Sequence, residues 1–364
     1  GFFLFSEKNQ LSGVPGSGEL VRWMRDEKLR FEELSLAGTR EYGLLSEYEK
    51  LKTEKCRPFN KITIQGDVVV KEGITEQGKK LARRECAWYE LARSLGITAL
   101  PAIYGTNPLR MEYIRGKNIY ECGMDFEQKE NILTILVDSL KKLHASSRKR
   151  PDSFSRKEAY FHKTFQRIDR IRNLVPFADR ERITVNGKAC RNVFFHRREL
   201  EKCLEEIASD EFAFIHGDCT FSNIMLREDG SPVLIDPRGY FGYSEMYGDV
   251  LYDWAKLYYS IRGNYDQFNL KKFRLSMGED GVSLEIASNH WEDMEETFFA
   301  LTGADRYEVR LIHAIIWLSL TTYAWQDYDS VCGAFYNGLF YLEDVLDGRQ
   351  ADKRGIDRRE FGRG

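Results

Sequence analysis

Three residues near the middle of the chain have types and spacing that suit one kind of chemistry. Asp218 lies in residues 214–223, Asn223 follows it by five positions, and Asp236 comes thirteen positions later. Phosphoryl transfer needs such a set: a carboxylate to orient and deprotonate a hydroxyl, and an amide and a second carboxylate to hold Mg²⁺. Asn223 and Asp236 offer the hard oxygen ligands that Mg²⁺ prefers.

The sequence around these residues predicts how they are brought together. Residues 233–235 (Val-Leu-Ile) form a short apolar run typical of a buried strand that ends at Asp236. Residues 227–232 contain Asp-Gly-Ser-Pro and predict a hairpin turn before that strand. We therefore expect the two metal-ligand candidates to lie on neighbouring strands and to converge on one ion.

The pattern His-Gly-Asp-x-x-x-x-Asn followed by Ile-Asp resembles the aminoglycoside phosphotransferase and choline kinase group of small-molecule kinases. The likeness covers roughly residues 60–345. It implies an α+β, bilobal, protein kinase-like fold, with a small N-terminal antiparallel sheet lobe and a larger, mainly helical C-terminal lobe. It also implies that Asp218 is the catalytic base, that Asn223 and Asp236 bind Mg²⁺, and that His216 braces the catalytic loop.

The region upstream predicts the other half of an ATP site. Residues 61–71 suggest two strands, the second ending near Lys71, which can reach the α- and β-phosphates. The next helix, predicted at residues 77–95, carries Glu85 and Glu90 as possible acidic partners for this lysine. The family pattern favours Glu85. A Gly-x-Gly-x-x-Gly loop does not occur in this region, as is common in this group.

Residues 111–116 (Met-Glu-Tyr-Ile-Arg-Gly) lie where the connection between the two lobes is expected. By resemblance, this segment binds adenine through the Glu112 carbonyl and the Ile114 amide, beside Met111. The alternative is an ordinary strand end before a turn at Gly116.

The C-terminal part predicts helices around an insertion. Residues 131–145 carry an apolar stripe of a core helix, and residues 156–174 predict a basic, aromatic-bearing helix. Residues 183–189 contain an Asn-Gly pair, which is typical of a two-residue hairpin. We predict that the insertion at residues 151–205 is a substrate lid.

The segment after Asp236 supplies candidates for substrate binding. Arg238 offers a donor for a carboxylate or phosphate, and Asp249 and Asp253 lie in a segment that matches the family's next helix. Asp249 is expected to cap that helix, and either aspartate is a candidate to bind substrate instead.

These residues favour a sugar or sugar-like phosphate acceptor. The alternative is choline or ethanolamine, with Trp317, Tyr323 and Trp325 forming an aromatic cage, although their helical spacing suits a core. A second alternative is a nucleotide-binding pseudokinase. All five positions expected to carry catalysis hold residues able to do so, which favours an enzyme that uses ATP and Mg²⁺. These residues are Lys71, Glu85, Asp218, Asn223 and Asp236.

Composition limits the remaining function classes. A net charge of −3 favours neither nucleic acid nor membrane as a partner, and seven cysteines without Cys-x-x-Cys spacing suggest reduced thiols. We expect a cytoplasmic protein that acts on a small molecule.

Four regions are predicted along the chain. Residues 1–55 are an N-terminal extension, with the end of a preceding domain as the alternative, 56–112 the ATP-binding lobe, 113–346 the catalytic lobe and 347–364 a flexible tail. Residues 57–62 resemble junctions in kinases fused to sugar nucleotidyltransferases, so fusion to or partnership with such an enzyme is expected.

Overall fold

The computed structural model describes residues 11–14, 20–30, 60–207, 209–322 and 327–361, with side chains as far as residue 348. The chain divides into two compact units, Gly1–Thr53 and Glu54–Gly364. In the first unit the structure assigns helix α1 (Leu20–Asp26). Most of the extension predicted at residues 1–55, and the junction at 57–59, lie outside the described residues.

An antiparallel sheet and one long helix form the N-terminal lobe of the second unit. The strands are β1 (Asn60–Gln65), β2 (Val68–Gly73), β3 (Ile103–Thr106) and β4 (Leu109–Glu112), in the order β1-β2-β4-β3. Helix α2 (Glu76–Ser94) packs against β2, and the Thr75 hydroxyl caps it by accepting from the Gly78 amide at 3.0 Å. The predicted strand pair and helix are confirmed here.

The C-terminal lobe is mainly helical. Its helices are α3 (Phe126–Ser146), α4 (Ser153–Lys157), α5 (Lys163–Ile171), α6 (Arg197–Glu205), α7 (Val250–Ile261), α8 (Tyr265–Asn269), α9 (Glu295–Thr302), α10 (Arg306–Leu320) and α11 (Tyr328–Phe361). Helix α10 packs against α7 and α11, and its Trp317 is fully buried. The Trp317 ring lies 4.7 Å from the Tyr259 ring and 5.0 Å from the Phe268 ring, so this aromatic cluster is core.

Short strands connect the helices of this lobe. They are β5 (Gly116–Asn118), β6 (Arg148–Lys149), β7 (Arg182–Val185), β8 (Lys188–Arg191), β9 (Phe212–Phe214), β10 (Ile224–Arg227), β11 (Pro232–Leu234), β12 (Tyr240–Phe241), β13 (Ser244–Glu245), β14 (Tyr247–Gly248), β15 (Phe273–Gly278) and β16 (Gly281–Ile286). Strands β10 and β11 form the predicted hairpin, with Ile224 opposite Leu234. This register places Asn223 and Asp236 at the same end of the hairpin.

The insertion at residues 151–205 differs from the sequence prediction in one respect. A π-helical turn, Glu158–His162, interrupts the helical run between α4 and α5, where an uninterrupted helix was predicted. The Asn-Gly hairpin is confirmed: Asn186 and Gly187 both adopt positive φ values (50° and 77°) between β7 and β8, which join the sheet β15-β16-β7-β8.

The end of the chain is helical. Helix α11 continues to Phe361, through most of the segment predicted as a flexible tail from residue 347. Among the described residues, none of the helices combines the length and apolar character that a membrane crossing requires.

Candidate active site

Asp218 lies in a loop whose geometry is fixed by its neighbours. The Asn223 side-chain amide donates to the Asp218 carbonyl at 2.8 Å and to its carboxylate at 3.1 Å. Gly217 adopts a φ of +79°, and a Cβ at this position would lie 3.0 Å from the Arg238 Cβ. Glycine before Asp218 therefore serves both the backbone conformation and the close approach of the next segment.

His216 braces this loop, in agreement with its predicted role. It is fully buried, its Nδ1 accepts from the Asp218 amide at 3.3 Å, and its Nε2 lies 3.0 Å from the Ile235 carbonyl. Since Nδ1 accepts, the ring proton on Nε2 donates to Ile235. Burial lowers the pKa of His216 despite nearby carboxylates, so the neutral ring ties the catalytic loop to the segment that carries Asp236.

The Asp253 carboxylate holds the backbone of the same loop. Its carboxylate is fully buried and accepts from the backbone amides of His216 at 2.9 Å and Gly217 at 2.7 Å, and from His144 Nε2 at 2.9 Å. Asp249 is also buried and caps α7 by accepting from the Leu251 amide at 3.0 Å. Both side chains are enclosed and hold backbone groups, which is the capping role expected for Asp249, and binding of substrate by either residue stays a prediction.

Lys71 joins the two lobes. Its ammonium lies 2.6 Å from the Glu85 carboxylate on α2 and also contacts the Asp236 carboxylate. Burial alone would lower the pKa of Lys71, but the charges of Asp236 and Glu85 raise it overall, so the lysine stays charged. Glu85 contacts Lys71 as predicted, whereas Glu90 is exposed on the same helix.

Asn223 and Asp236, the two candidate ligands of a hard cation, lie at the same end of the β10–β11 hairpin. The Ile235 amide donates to the Asn223 carbonyl at 3.0 Å, which continues the hairpin pairing up to the two candidate ligands. The Asn223 NH₂ group is committed to Asp218, which directs its side-chain oxygen away from that bond. Asp236 adopts a φ of +55°, so the chain turns sharply where the carboxylate meets Lys71. An amide oxygen and a carboxylate at one strand end fit Mg²⁺.

The connection between the lobes follows β4 directly. Met111 and Ile114 are buried, and the Tyr113 amide donates to the Asp67 carbonyl at 2.9 Å. The Glu112 carboxylate forms a two-pronged pair with Arg227 of the catalytic hairpin, which anchors this connection to the C-terminal lobe. The segment predicted to bind adenine is thus rigidly attached to both lobes.

The sequence analysis did not identify Lys256 as part of the site. Its ammonium lies 2.8 Å from the Asp218 carboxylate. Burial would raise the pKa of Asp218, but Lys256, with help from Arg238, outweighs this and lowers it to about 2. Lys256 follows Asp253 by three residues in the helix segment already recognised, and that helical spacing was the available signal.

Arg238, predicted as a substrate contact, faces the same region. Its guanidinium donates to the Tyr252 hydroxyl at 2.8 Å and to the Tyr240 hydroxyl at 2.9 Å. With Lys163, Arg167 and Lys256 it lines a narrow pocket. The structure therefore brings together the predicted catalytic loop, metal-ligand candidates and phosphate-binding lysine, and adds a cationic pocket that the sequence alone did not reveal.

The geometry agrees with the comparisons to known proteins. Residues 63–275 match the phosphotransferase enzyme family (APH). Among solved structures, glucosamine kinase in complex with glucosamine, ADP and inorganic phosphate is similar, with a TM-score of 0.55 at 15% identity over 81% of each chain. A second glucosamine kinase structure (crystal form B) has a TM-score of 0.51 at 13% identity, over 79% of this chain and 76% of that one.

A choline kinase, LicA from Streptococcus pneumoniae, has a TM-score of 0.48 at 17% identity, over 81% of this chain and 99% of that one. No curated protein matches the sequence at a significant level. The family match covers more than half of the chain, and the fold has the bilobal, protein kinase-like form predicted for it. The chain belongs to the phosphotransferase enzyme family and is a small-molecule kinase.

Proposed function

We propose that this kinase transfers the γ-phosphoryl group of ATP, with Mg²⁺, to a hydroxyl of a sugar or sugar-like metabolite. The observation that carries the proposal is the contact of Lys71 with both Glu85 and Asp236. Kinase-like enzymes need this lysine and acidic partner to position the phosphates, and a metal-binding aspartate beside them. The chain thus has the polar arrangement of a working site, which favours catalysis over a pseudokinase.

The reaction would use the catalytic loop as follows. Asp218 orients the acceptor hydroxyl and takes its proton as the hydroxyl oxygen attacks the γ-phosphorus. The bond from that phosphorus to the β–γ bridging oxygen breaks, and ADP leaves. Asn223 and Asp236 would hold Mg²⁺, which supplies charge neutralisation on the phosphates. Lys256 keeps Asp218 ionised and fixes its direction.

The connection between the lobes would hold the adenine ring. Ile114 and Glu112 offer a backbone amide and a carbonyl next to the buried Met111 side chain. The pair between Glu112 and Arg227 keeps this backbone in place. A structure with bound nucleotide tests adenine recognition through these two backbone groups.

Two features support a sugar-like acceptor over choline. Trp317, a member of the alternative aromatic cage, is fully buried against Tyr259 and Phe268. The other members, Tyr323 and Trp325, lie outside the described residues. Arg238, in contrast, lines the pocket beside the catalytic loop and carries a charge that disfavours a quaternary ammonium.

A coupled ADP-release screen tests the proposal. The panel contains sugars, polyols, choline, ethanolamine and aminoglycosides, each with ATP and Mg²⁺. We expect turnover with at least one sugar or polyol and little with choline. Strong turnover of choline and none of any sugar would refute the acceptor class. Nucleotide-dependent thermal stabilisation without turnover of any compound would support the pseudokinase instead.

A further inference from the structure

The pocket beside the catalytic loop has an unusual charge composition. Side chains of α5, α7, α10 and the segment after Asp236 line it, together with Tyr252, Tyr259 and Tyr265. Its lining holds four cationic side chains: Lys163, Arg167, Arg238 and Lys256. No carboxylate belongs to that lining within the described part of the chain. Because Lys256 also contacts Asp218 at 2.8 Å, the pocket lies next to the predicted catalytic base.

Hydrogen bonds hold the two arginines in fixed directions. Arg167 donates to the Ser319 carbonyl at 2.7 Å and to its hydroxyl at 2.9 Å. Arg238 donates to the hydroxyls of Tyr252 and Tyr240, and its guanidinium lies 4.6 Å from the centre of the Tyr240 ring. These acceptors orient both guanidinium groups, and an oriented guanidinium is suited to a planar or tetrahedral anion.

Lys163 is the cation with the least compensation. Burial lowers its pKa well below the ordinary value, and repulsion from Arg238, Arg167 and Lys256 outweighs the opposite effect of the Asp218 carboxylate. No ion pair joins Lys163 to any residue that the structure describes. A half-buried ammonium crowded by three like charges is unfavourable in the absence of an anion, and an anion in the pocket would reverse this.

The local backbone explains how these cations share one wall. Lys163 and Arg167 are four residues apart on α5 and therefore project from the same face of the helix. The π turn Glu158–His162 immediately before α5 adds a residue to the helical repeat and rotates that face relative to α4. Such turns often occur at functional sites, and this one sets the orientation of the two cations.

We propose that the phosphate acceptor carries an anionic group, a phosphate or a carboxylate, which binds between Lys163, Arg167, Arg238 and Lys256. The substrate would then be a phosphorylated or acidic sugar-like compound, with its hydroxyl at Asp218 and its anion in this pocket. The inference extends the proposed phosphotransferase function and rests on it, because it takes the pocket as the place where the phosphate acceptor binds. Cationic acceptors such as choline and aminoglycosides would be repelled.

A binding measurement tests the pocket without requiring turnover. Inorganic phosphate is titrated into the full chain by calorimetry, using the wild type and the variants Lys163→Met and Arg167→Met. Each substitution should weaken binding by about tenfold, as expected when one charge-assisted hydrogen bond is lost. Lys142→Met, which removes an exposed lysine of α3, controls for the change in net charge and should bind phosphate as the wild type does. Undetectable binding to the wild type, or equal binding to all variants, would overturn the inference.

A second measurement separates this inference from the proposed function. ADP release is compared for matched acceptors: a neutral sugar, its 6-phosphate, its uronic acid and its 2-amino derivative. We expect kcat/KM at least about tenfold higher for an anionic member, and a smaller advantage in Lys163→Met. Preference for the neutral or amino sugar would overturn the anionic pocket and leave the kinase function intact. Phosphate binding that depends on Lys163, without turnover of any acceptor, would refute the proposed function and retain the anion site.

Discussion

Lys71 contacts carboxylates from two distant parts of the chain, Glu85 on α2 and Asp236 after β11. The lysine and Glu85 are both buried, so their charges are little screened by solvent. Neither acid alone would orient the ammonium toward the cleft between the lobes. The three residues together fix one charge at the place where the phosphates of a nucleotide are proposed to lie.

Replacement of Glu85 by Gln should lower kcat/KM for ATP by about ten- to a hundredfold, because Lys71 loses one of the two charges that position it. Steady-state kinetics with varied ATP measure this. The matched control is Glu90→Gln, on the exposed face of the same helix, which should leave the value unchanged. Equal effects of both substitutions, or no effect of either, would contradict the role given to Glu85.

Site residues could be predicted where the pattern that marks them lies in one short stretch of sequence. Asp218, Asn223 and Asp236 lie in one short segment, and the family pattern favoured Glu85 over Glu90 on the helix that follows Lys71. The ion pair of Lys256 with Asp218 spans almost 40 residues, and the only local signal for it is the three-residue spacing of Lys256 from Asp253. For Asp253 the sequence left a substrate contact open as an alternative, because the backbone amides to which it binds have no sequence signature.

The insertion and the last helix are tied together by a buried charge cluster. Arg191, on β8, contacts Glu343 of α11 at 3.0 Å, and also Glu199 of α6 and Asp347. Arg191 and Glu343 are nearly fully buried. This cluster attaches the sheet that contains β7 and β8 to the helical core. The insertion predicted as a lid is therefore anchored to α11 through β8.

Glu343→Gln should destabilise the protein by about 3 kcal/mol, since it leaves the buried Arg191 without its closest enclosed counter-charge. Urea unfolding gives the change in the free energy of unfolding. Glu296→Gln serves as the control, because its partner Arg306 is 45% exposed and the pair is therefore worth about 1 kcal/mol or less. A loss for Glu343→Gln no larger than for Glu296→Gln would show that the cluster is dispensable.

Elements with strong periodic patterns were predictable, and those shaped by tertiary contacts were not. The hairpins and helix α2 follow from turn residues and apolar spacing. The π turn between α4 and α5 does not, since a helix with one extra residue has almost the same apolar pattern as a regular helix. The helix that reaches Phe361 was not predicted either, because polar composition alone does not exclude a helix.

At the scale of the whole molecule, the C-terminal lobe encloses a neutral histidine in its aromatic core. His313 of α10 is buried, and its Nε2 accepts from the Trp317 indole at 3.0 Å. Its ring also lies 5.0 Å from the Tyr258 ring. Burial, with the charges of Arg262 and Arg310, lowers the pKa of His313 to about 3.

This histidine should make the protein sensitive to acid. Because its folded pKa is below the unfolded value of about 6.5, its stabilising contribution is complete above pH 6.5 and is lost as the pH falls toward 3. Between pH 7.5 and pH 4, the contribution of His313 to the free energy of unfolding should fall by about 3 kcal/mol. His313→Gln cannot titrate in this range and should show a smaller loss when urea unfolding is compared at both values. An equal loss in both proteins would contradict the assignment.

Asp218 is proposed to activate the acceptor hydroxyl in an ATP-dependent reaction. The most direct test compares turnover and nucleotide affinity in Asp218→Ala, with the acceptor found by the ADP-release screen. We predict that kcat falls by about a thousandfold while the dissociation constant for ATP changes only a few-fold. Asp138→Ala, an exposed carboxylate of α3, should match the wild type in both quantities. Near-normal kcat in Asp218→Ala at saturating acceptor would contradict the account.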